Sequence, residues 1–199
     1  MITNRSMKYL ASAGALLCAG YAFHLQGQEE TKEKEKNADL SRAAFKEAYK
    51  VLMHPRCMNC HPMGNAPLQG DESHPHIQNV KAGPEGKGIY SMKCTNCHQD
   101  KNLPGENMPP GNPIWHLPPP EMPMVFEGKS PGQLAAQLKD PKRNGGKNLE
   151  QIFHHVSEDK LVLWGWNPGE GRTLPPLTHE EFTKQMKIWI DNGAEVPEE

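Results

Sequence analysis

The motif Cys-x-x-Cys-His occurs twice in this chain, as Cys57-Met58-Asn59-Cys60-His61 and as Cys94-Thr95-Asn96-Cys97-His98. The spacing puts two thiols and one imidazole on a single short turn, and this is the attachment signature of c-type haem. The cysteines of a copy take the two vinyl-derived arms of one haem as thioethers, and the adjacent histidine sits under the iron as its proximal ligand. Two copies, each with Asn before the second Cys, imply two covalently attached haem c groups. Cys57, Cys60, His61, Cys94, Cys97 and His98 are then the cofactor-binding residues, with His61 and His98 as iron ligands. Two other readings compete. A four-thiolate zinc site has no use for a histidine after each pair. Two local disulfides are open to an exported chain.

The N-terminus agrees with export. Arg5 and Lys8 precede an apolar run over 9–23 rich in Ala, Leu and Gly, which reads as a signal peptide spanning 1–22 with the cut after Ala22. The alternatives are an uncleaved membrane anchor and lipoprotein processing at Cys18, where Leu17 stands in place of the usual small residue. Bacterial c-type haem is attached outside the cytoplasm, so a periplasmic or otherwise exported location is expected. The run 23–39 carries Glu29, Glu30, Lys32, Glu33, Lys34, Glu35 and Lys36 and reads as a charged flexible tether. A single dihaem domain over 40–199 follows.

Of 199 residues only 36% are hydrophobic, which is low for a globular domain. Porphyrin plates would supply the missing apolar surface, so the haem-free chain is expected to fold poorly. The net charge is −2 and no basic patch alternates with aromatics, so nucleic-acid binding has no support. A redox partner with a basic or mixed surface, steered by charge, fits better.

Helical periodicity places the remaining elements. The stretch 40–52 presents Ala44, Phe45, Ala48, Tyr49 and Leu52 on one face and runs into the first motif. The stretch 130–138 has Ser130 as cap and Pro131 at its first position. Leu149, Ile152, Phe153 and Val156 align over 149–156. The clearest helix spans 178–192, where Thr178 and Glu181 form a capping box, Phe182, Met186 and Trp189 form a stripe, and Gly193 stops it. Between Pro104 and Pro123 the density of proline forbids helix and central strand. Trp115, Met108, Met122 and Met124 in or beside that segment make it an ordered loop wrapped over haem. The apolar patch 161–166 reads as core packing or a haem wall. Asn65 and Pro67 follow Cys57 by the offsets at which Asn102 and Pro104 follow Cys94, a short internal echo. The fold class is therefore mostly α, with cytochrome c-like helices around two covalently bound haems and long Pro-rich irregular loops.

Two resemblances rest on these residues. Phe45, Tyr49 and the run 57–61 at one end, with the helix ending Trp189-Ile190-Asp191-Asn192-Gly193-Ala194 at the other, resemble a class I cytochrome c. There an N-terminal helix leads into the haem motif and a C-terminal helix crosses it. The middle departs from that pattern by a second motif and the proline-rich insertion. The runs His76…Val80-Lys81-Ala82-Gly83, Trp115-His116-Leu117-Pro118, Met124-Val125-Phe126-Glu127-Gly128-Lys129-Ser130 and His155-Val156…Trp164-Gly165-Trp166 resemble small dihaem cytochromes labelled as an isoquinoline 1-oxidoreductase subunit. This second resemblance spans about 56–166. It implies electron acceptance from a molybdenum-containing oxidoreductase, with no molybdenum site on this chain.

The sixth iron ligands decide the chemistry, because Met raises the potential relative to His and an empty position admits substrates or gases. His76 and His155 gain from their place in the family-like runs, and His155 also lies beside the apolar patch. Met124 follows a proline that fixes the chain. Met108-Pro109 resembles the ligand loop of class I cytochromes c. His179, in the first turn of the last helix, is expected to face solvent. His76, His155 and Met124 are the candidate distal ligands, with no pairing to particular irons. The expected activity is single-electron transfer between a molybdenum hydroxylase-type oxidoreductase and a respiratory acceptor, as a carrier and not an enzyme. The alternative is a small dihaem peroxidase or gas-binding haem protein with one open iron.

Overall fold

The computed structural model describes the backbone of residues 6–198, and the side chains of residue 28 and of 30–198. The expected signal segment, with Arg5, Cys18 and the cut after Ala22, lies outside the described side chains. Among the described residues no helix is long and apolar enough to cross a membrane. The chain divides into two compact units, Met1–Asp39 and Leu40–Glu199.

The architecture is mostly helical, with six α-helices and two minimal hairpins among the described residues. Helix α1 (Ser6–Leu52) takes in the segment 23–39, which is helical rather than a flexible tether. A lack of apolar residues excludes burial, but it does not exclude a helix. Glu and Lys are good helix formers, and Glu30 stands four residues before Lys34, the favourable order for an ion pair along a helix.

From Leu40 onward the chain builds one core. The last turns of α1 bury Ala44, Phe45, Ala48, Val51 and Leu52. Against them pack Leu134, Ala135 and Leu138 of α3 (Pro131–Lys139), Ile152 and Val156 of α4 (Leu149–Glu158), and Phe182, Met186 and Trp189 of α6 (His179–Asp191). These three helices all start with complete capping boxes, Ser130–Gln133, Asn148–Gln151 and Thr178–Glu181, so their first amide groups are satisfied locally. The beginning and end of this unit meet at Trp189, whose ring lies 4.8 Å from Phe45 and whose Nε1–H donates to the Glu195 carbonyl at 3.0 Å. Fully buried Ser41 donates to the Trp189 carbonyl at 2.8 Å and accepts the Glu195 N–H at 3.0 Å.

Between α1 and α3 lies the region that carries both motifs. Helix α2 (Pro55–Met58) holds the first. Strands β1 (Leu68–Gln69) and β2 (His74–Pro75) form one antiparallel hairpin, with Gln69 opposite His74. Strands β3 (Gly88–Ile89) and β4 (Met92–Lys93) form another, which delivers the chain to a 3-10 turn at Cys94–Asn96. The proline-rich stretch 104–123 contains no helix or strand, as expected. It is fastened at Leu117, whose N–H donates to the Gly86 carbonyl at 2.9 Å. That approach needs glycine, because a Cβ at Gly86 would lie 1.9 Å from the Leu117 oxygen. The apolar patch becomes α5 (Lys160–Leu163) and a 3-10 turn at Trp164–Trp166.

Candidate functional site

The two Cys-x-x-Cys-His copies sit in unlike elements yet close the same way. In the first, the Cys60 N–H donates to the Cys57 carbonyl at 3.1 Å, and in the second the Cys97 N–H donates to the Cys94 carbonyl at 3.2 Å. This single turn brings the paired thiols together and sends the following histidine onward. All four thiols are free. Burial pushes the Cys57 thiol up to about 12 and Cys60 up to about 11, and it also raises Cys94. Among the described residues no group of three or more His, Cys, Asp or Glu side chains is arranged to hold a metal ion, so the four thiols do not converge as a zinc site requires.

Both motif histidines are wired alike. His61 Nδ1 lies 2.7 Å from the Met124 carbonyl oxygen, and His98 Nδ1 lies 2.7 Å from the Pro110 carbonyl oxygen. A carbonyl can only accept, so in each ring Nδ1 carries the proton and Nε2 is left with its lone pair. This tautomer is the one that presents Nε2 to a metal while the other nitrogen fixes the ring. Each ring is also clamped by an aromatic neighbour. Phe126 stacks on His61 at 3.9 Å and 10°, and Trp115 stacks on His98 at 4.4 Å and 13°. Burial lowers the pKa of both, that of His61 to about 4, which keeps them neutral.

Local main-chain contacts hold these acceptors in place. The His61 carbonyl accepts from the Phe126 N–H at 2.8 Å and the Glu127 N–H at 3.2 Å, while the Met124 carbonyl meets its ring, so the irregular run 124–127 holds the motif at both its main chain and its side chain. For His98, the Asn102 carboxamide oxygen accepts the Gly111 N–H at 2.8 Å, and the Asn112 N–H donates to the Gln99 carbonyl at 2.8 Å. Gly111 permits that contact, since a Cβ there would lie 1.9 Å from the Lys101 carbonyl carbon. Asn65 offers only its main chain, to the Ala82 N–H, so the echo between the motifs does not extend to their surroundings.

A cleft of about 590 Å³ opens beside the second motif. That volume falls in the range of roughly 300–1,000 Å³ typical of cofactor sites. Cys60 of the first motif and Cys94, Cys97 and His98 of the second line it, with His76, Trp115, Trp164 and Arg172. Four buried polar atoms of cleft-lining side chains have no partner: His76 Nδ1, His74 Nε2, Arg56 Nε and Asn59 Oδ1. Orphaned polar groups of this kind cost free energy unless a ligand meets them. Free thiols, a histidine with its lone pair exposed and unpartnered imidazole nitrogens are the donor set a covalent haem requires.

The candidate distal ligands separate in space. His76 lies across the cleft from His98, with ring centroids 6.5 Å apart. His155, on α4, is half-buried with Nδ1 3.3 Å from Asp159 Oδ2, and it stands near enough to His61 for its charge to depress the His61 pKa. Met124 serves His61 through its carbonyl, while its sulfur packs toward the core and lies 3.9 Å from Gln137 Nε2. Met108 is exposed, and its carbonyl accepts from Arg172 at 2.6 Å. His179 does not face solvent as expected. Its Nε2 lies 3.0 Å from the Val156 carbonyl oxygen and its ring packs 4.8 Å from Trp166.

Several residues of the site were missed by sequence reasoning. His74 donates through Nδ1 to Glu72 at 2.6 Å, and the alternation Glu72-x-His74 was a visible signal for it. The Arg56 side chain is 2% exposed, bonds Asp71 and donates to the Gly70 carbonyl at 3.3 Å. Asp71 in turn accepts the Thr173 N–H at 3.0 Å, which ties the first hairpin to the segment before α6.

No protein-family model, no curated protein and no solved structure matches this chain.

Proposed function

We propose that this protein is an exported dihaem c-type cytochrome that carries single electrons. The observation behind the reading is the shared wiring of the two motifs. In both, two free thiols share one turn with a neutral histidine whose Nδ1 is tied to a main-chain carbonyl and whose Nε2 is left for iron. Haem bound there supplies a reversible one-electron iron couple. The chain's own part is to hold the macrocycles by Cys57 and Cys60 and by Cys94 and Cys97, to fix the proximal rings with Phe126 and Trp115, and to exclude water through the proline-rich loop. Because Cys60 lines the cleft of the second motif, the two haems would lie close enough to exchange electrons.

Export follows from the need to attach haem outside the cytoplasm, and the terminal helices make the fold comparable to a class I cytochrome c. The resemblance of 56–166 to isoquinoline 1-oxidoreductase-type subunits makes a molybdenum-containing hydroxylase the proposed electron donor, with a respiratory protein as acceptor.

Expression in a bacterial host with a c-type haem maturation system tests this. The expected product is a chain whose denatured mass exceeds the polypeptide's by two haems. Changing Cys57 and Cys60 to Ser, or Cys94 and Cys97 to Ser, should remove one haem each. A chain that leaves the host with no covalent haem and binds stoichiometric zinc would refute the reading.

A further inference from the structure

His76 and His98 meet edge-on, with ring centroids 6.5 Å apart and planes inclined by 60°, near the outer limit of about 7 Å for such a contact. The stacked rings on the two motif histidines are closer, at 3.9 Å and 4.4 Å. An imidazole nitrogen binds a first-row metal at about 2 Å, and its ring centre lies roughly 1.1 Å further on, so two imidazoles on opposite sides of one ion sit about 6.2 Å apart. The observed gap matches that spacing. His98 has its Nδ1 spent on the Pro110 carbonyl, and His76 keeps a buried Nδ1 without a partner. His76 is also set by its main chain, which donates to the Pro67 carbonyl at 3.1 Å and accepts from the Asn79 N–H at 2.9 Å.

From this geometry we infer that His76 is the sixth ligand of the haem iron carried by Cys94, Cys97 and His98, so that this iron is bis-histidine and closed to exogenous ligands. The inference rests on the dihaem reading and adds the ligation of one iron to it. A histidine ordinarily pairs a buried ring nitrogen with a carbonyl, hydroxyl or water, because leaving it bare costs free energy, and Nδ1 of half-buried His76 has no such partner. His74 is the competitor, since its Nε2 is bare as well. Both rings have a partner on their other side, Glu72 for His74 and Gln78 for His76, and the difference is one of place, since His76 is the one whose ring meets His98. Closure on both faces gives this haem the coordination of an electron-transfer site and removes it from peroxide or gas chemistry.

The test uses holoprotein and three variants, His76→Gly, His76→Met and His74→Ala, after the denatured mass has established two haems per chain. Near-infrared magnetic circular dichroism of the ferric form, and carbon monoxide binding to the ferrous form, report the ligands. In His76→Gly one iron of the two should turn from low-spin to high-spin and bind carbon monoxide, and added imidazole should restore the low-spin form. In His76→Met the bis-histidine band of that iron should give way to a histidine–methionine band with a higher potential. His74→Ala should leave both irons as they are. Retention of low-spin iron in His76→Gly without imidazole, or high-spin iron in His74→Ala alone, would overturn the assignment while leaving the dihaem reading intact. A chain with fewer than two haems would instead strike at the functional reading itself.

Discussion

Arg56 and Asp71 form an ion pair beside the proposed iron ligands. The Arg56 side chain is 2% exposed and that of Asp71 35%, so one charge is dry and the other partly wet. Burial alone would raise the Asp71 pKa, but hydrogen bonds from Thr173, followed by the Arg56 charge, outweigh it and leave the carboxyl below its usual value. A depressed carboxylate pKa stabilises the fold at every pH above the unfolded value near 4, and that share is lost as pH falls toward the folded value. Asp71→Asn should therefore lower holoprotein stability at neutral pH by about 1 kcal/mol, a figure discounted for the solvent around Asp71. The difference from wild type should shrink as urea unfolding is repeated from pH 6 down to pH 3. A difference that stays constant over that range would mean the carboxylate's charge has no part in it.

At the scale of elements, what could be read from the sequence was local. The cap at Ser130, the box at Thr178 and the stripe Phe182, Met186 and Trp189 are local features of one helix each, and the structure reproduces them. The two Cys-x-x-Cys-His turns are equally local. What escaped reading was anything a main-chain atom does at a distance. No residue type encodes the carbonyl of Met124 or Pro110 as a histidine's acceptor, and Met124 drew attention for its sulfur, which faces the core. The pair His76 and His98 likewise depends on two hairpins that are only two residues long per strand. Trp189 joins the local and the distant, as a stripe residue of α6 that also receives Phe45 and Ser41 from α1. Trp189→Ala should cost about 3–5 kcal/mol, since it empties a fully buried site and strands the Glu195 carbonyl. Thermal unfolding of the holoprotein would measure it, and a loss below about 1 kcal/mol would mean that the ends of the domain do not depend on this contact.

Across the whole domain from Leu40, apolar burial is uneven. The fifteen-residue core cluster is drawn from 44–52 and 126–194, whereas the stretch 62–123 contributes only Ala82 and Leu117 to the buried hydrophobic residues. That stretch holds the second motif, His76 and most of the cleft wall, and its regular structure is limited to two minimal hairpins and two 3-10 turns. Hairpins of that size are not stable alone in water. A few bonds, such as that of Leu117 to Gly86, cannot offset the entropy of ordering so many loop residues. The helical half, by contrast, has a closed core and three capped helices that need no cofactor. Removal of haem should therefore split the domain's behaviour, and loss of order should be local and not global. In a Cys-to-Ser chain made without haem, amides of 62–123 should exchange with solvent at close to unprotected rates. Those of α6 and of 44–52 should remain protected, and far-ultraviolet circular dichroism should keep most of its helical signal. Protection throughout 62–123 in that chain would mean the cleft is a self-standing pocket, and the proposal that macrocycles form its missing core would fall. Uniform loss of protection, α6 included, would mean the haems nucleate the helical core as well.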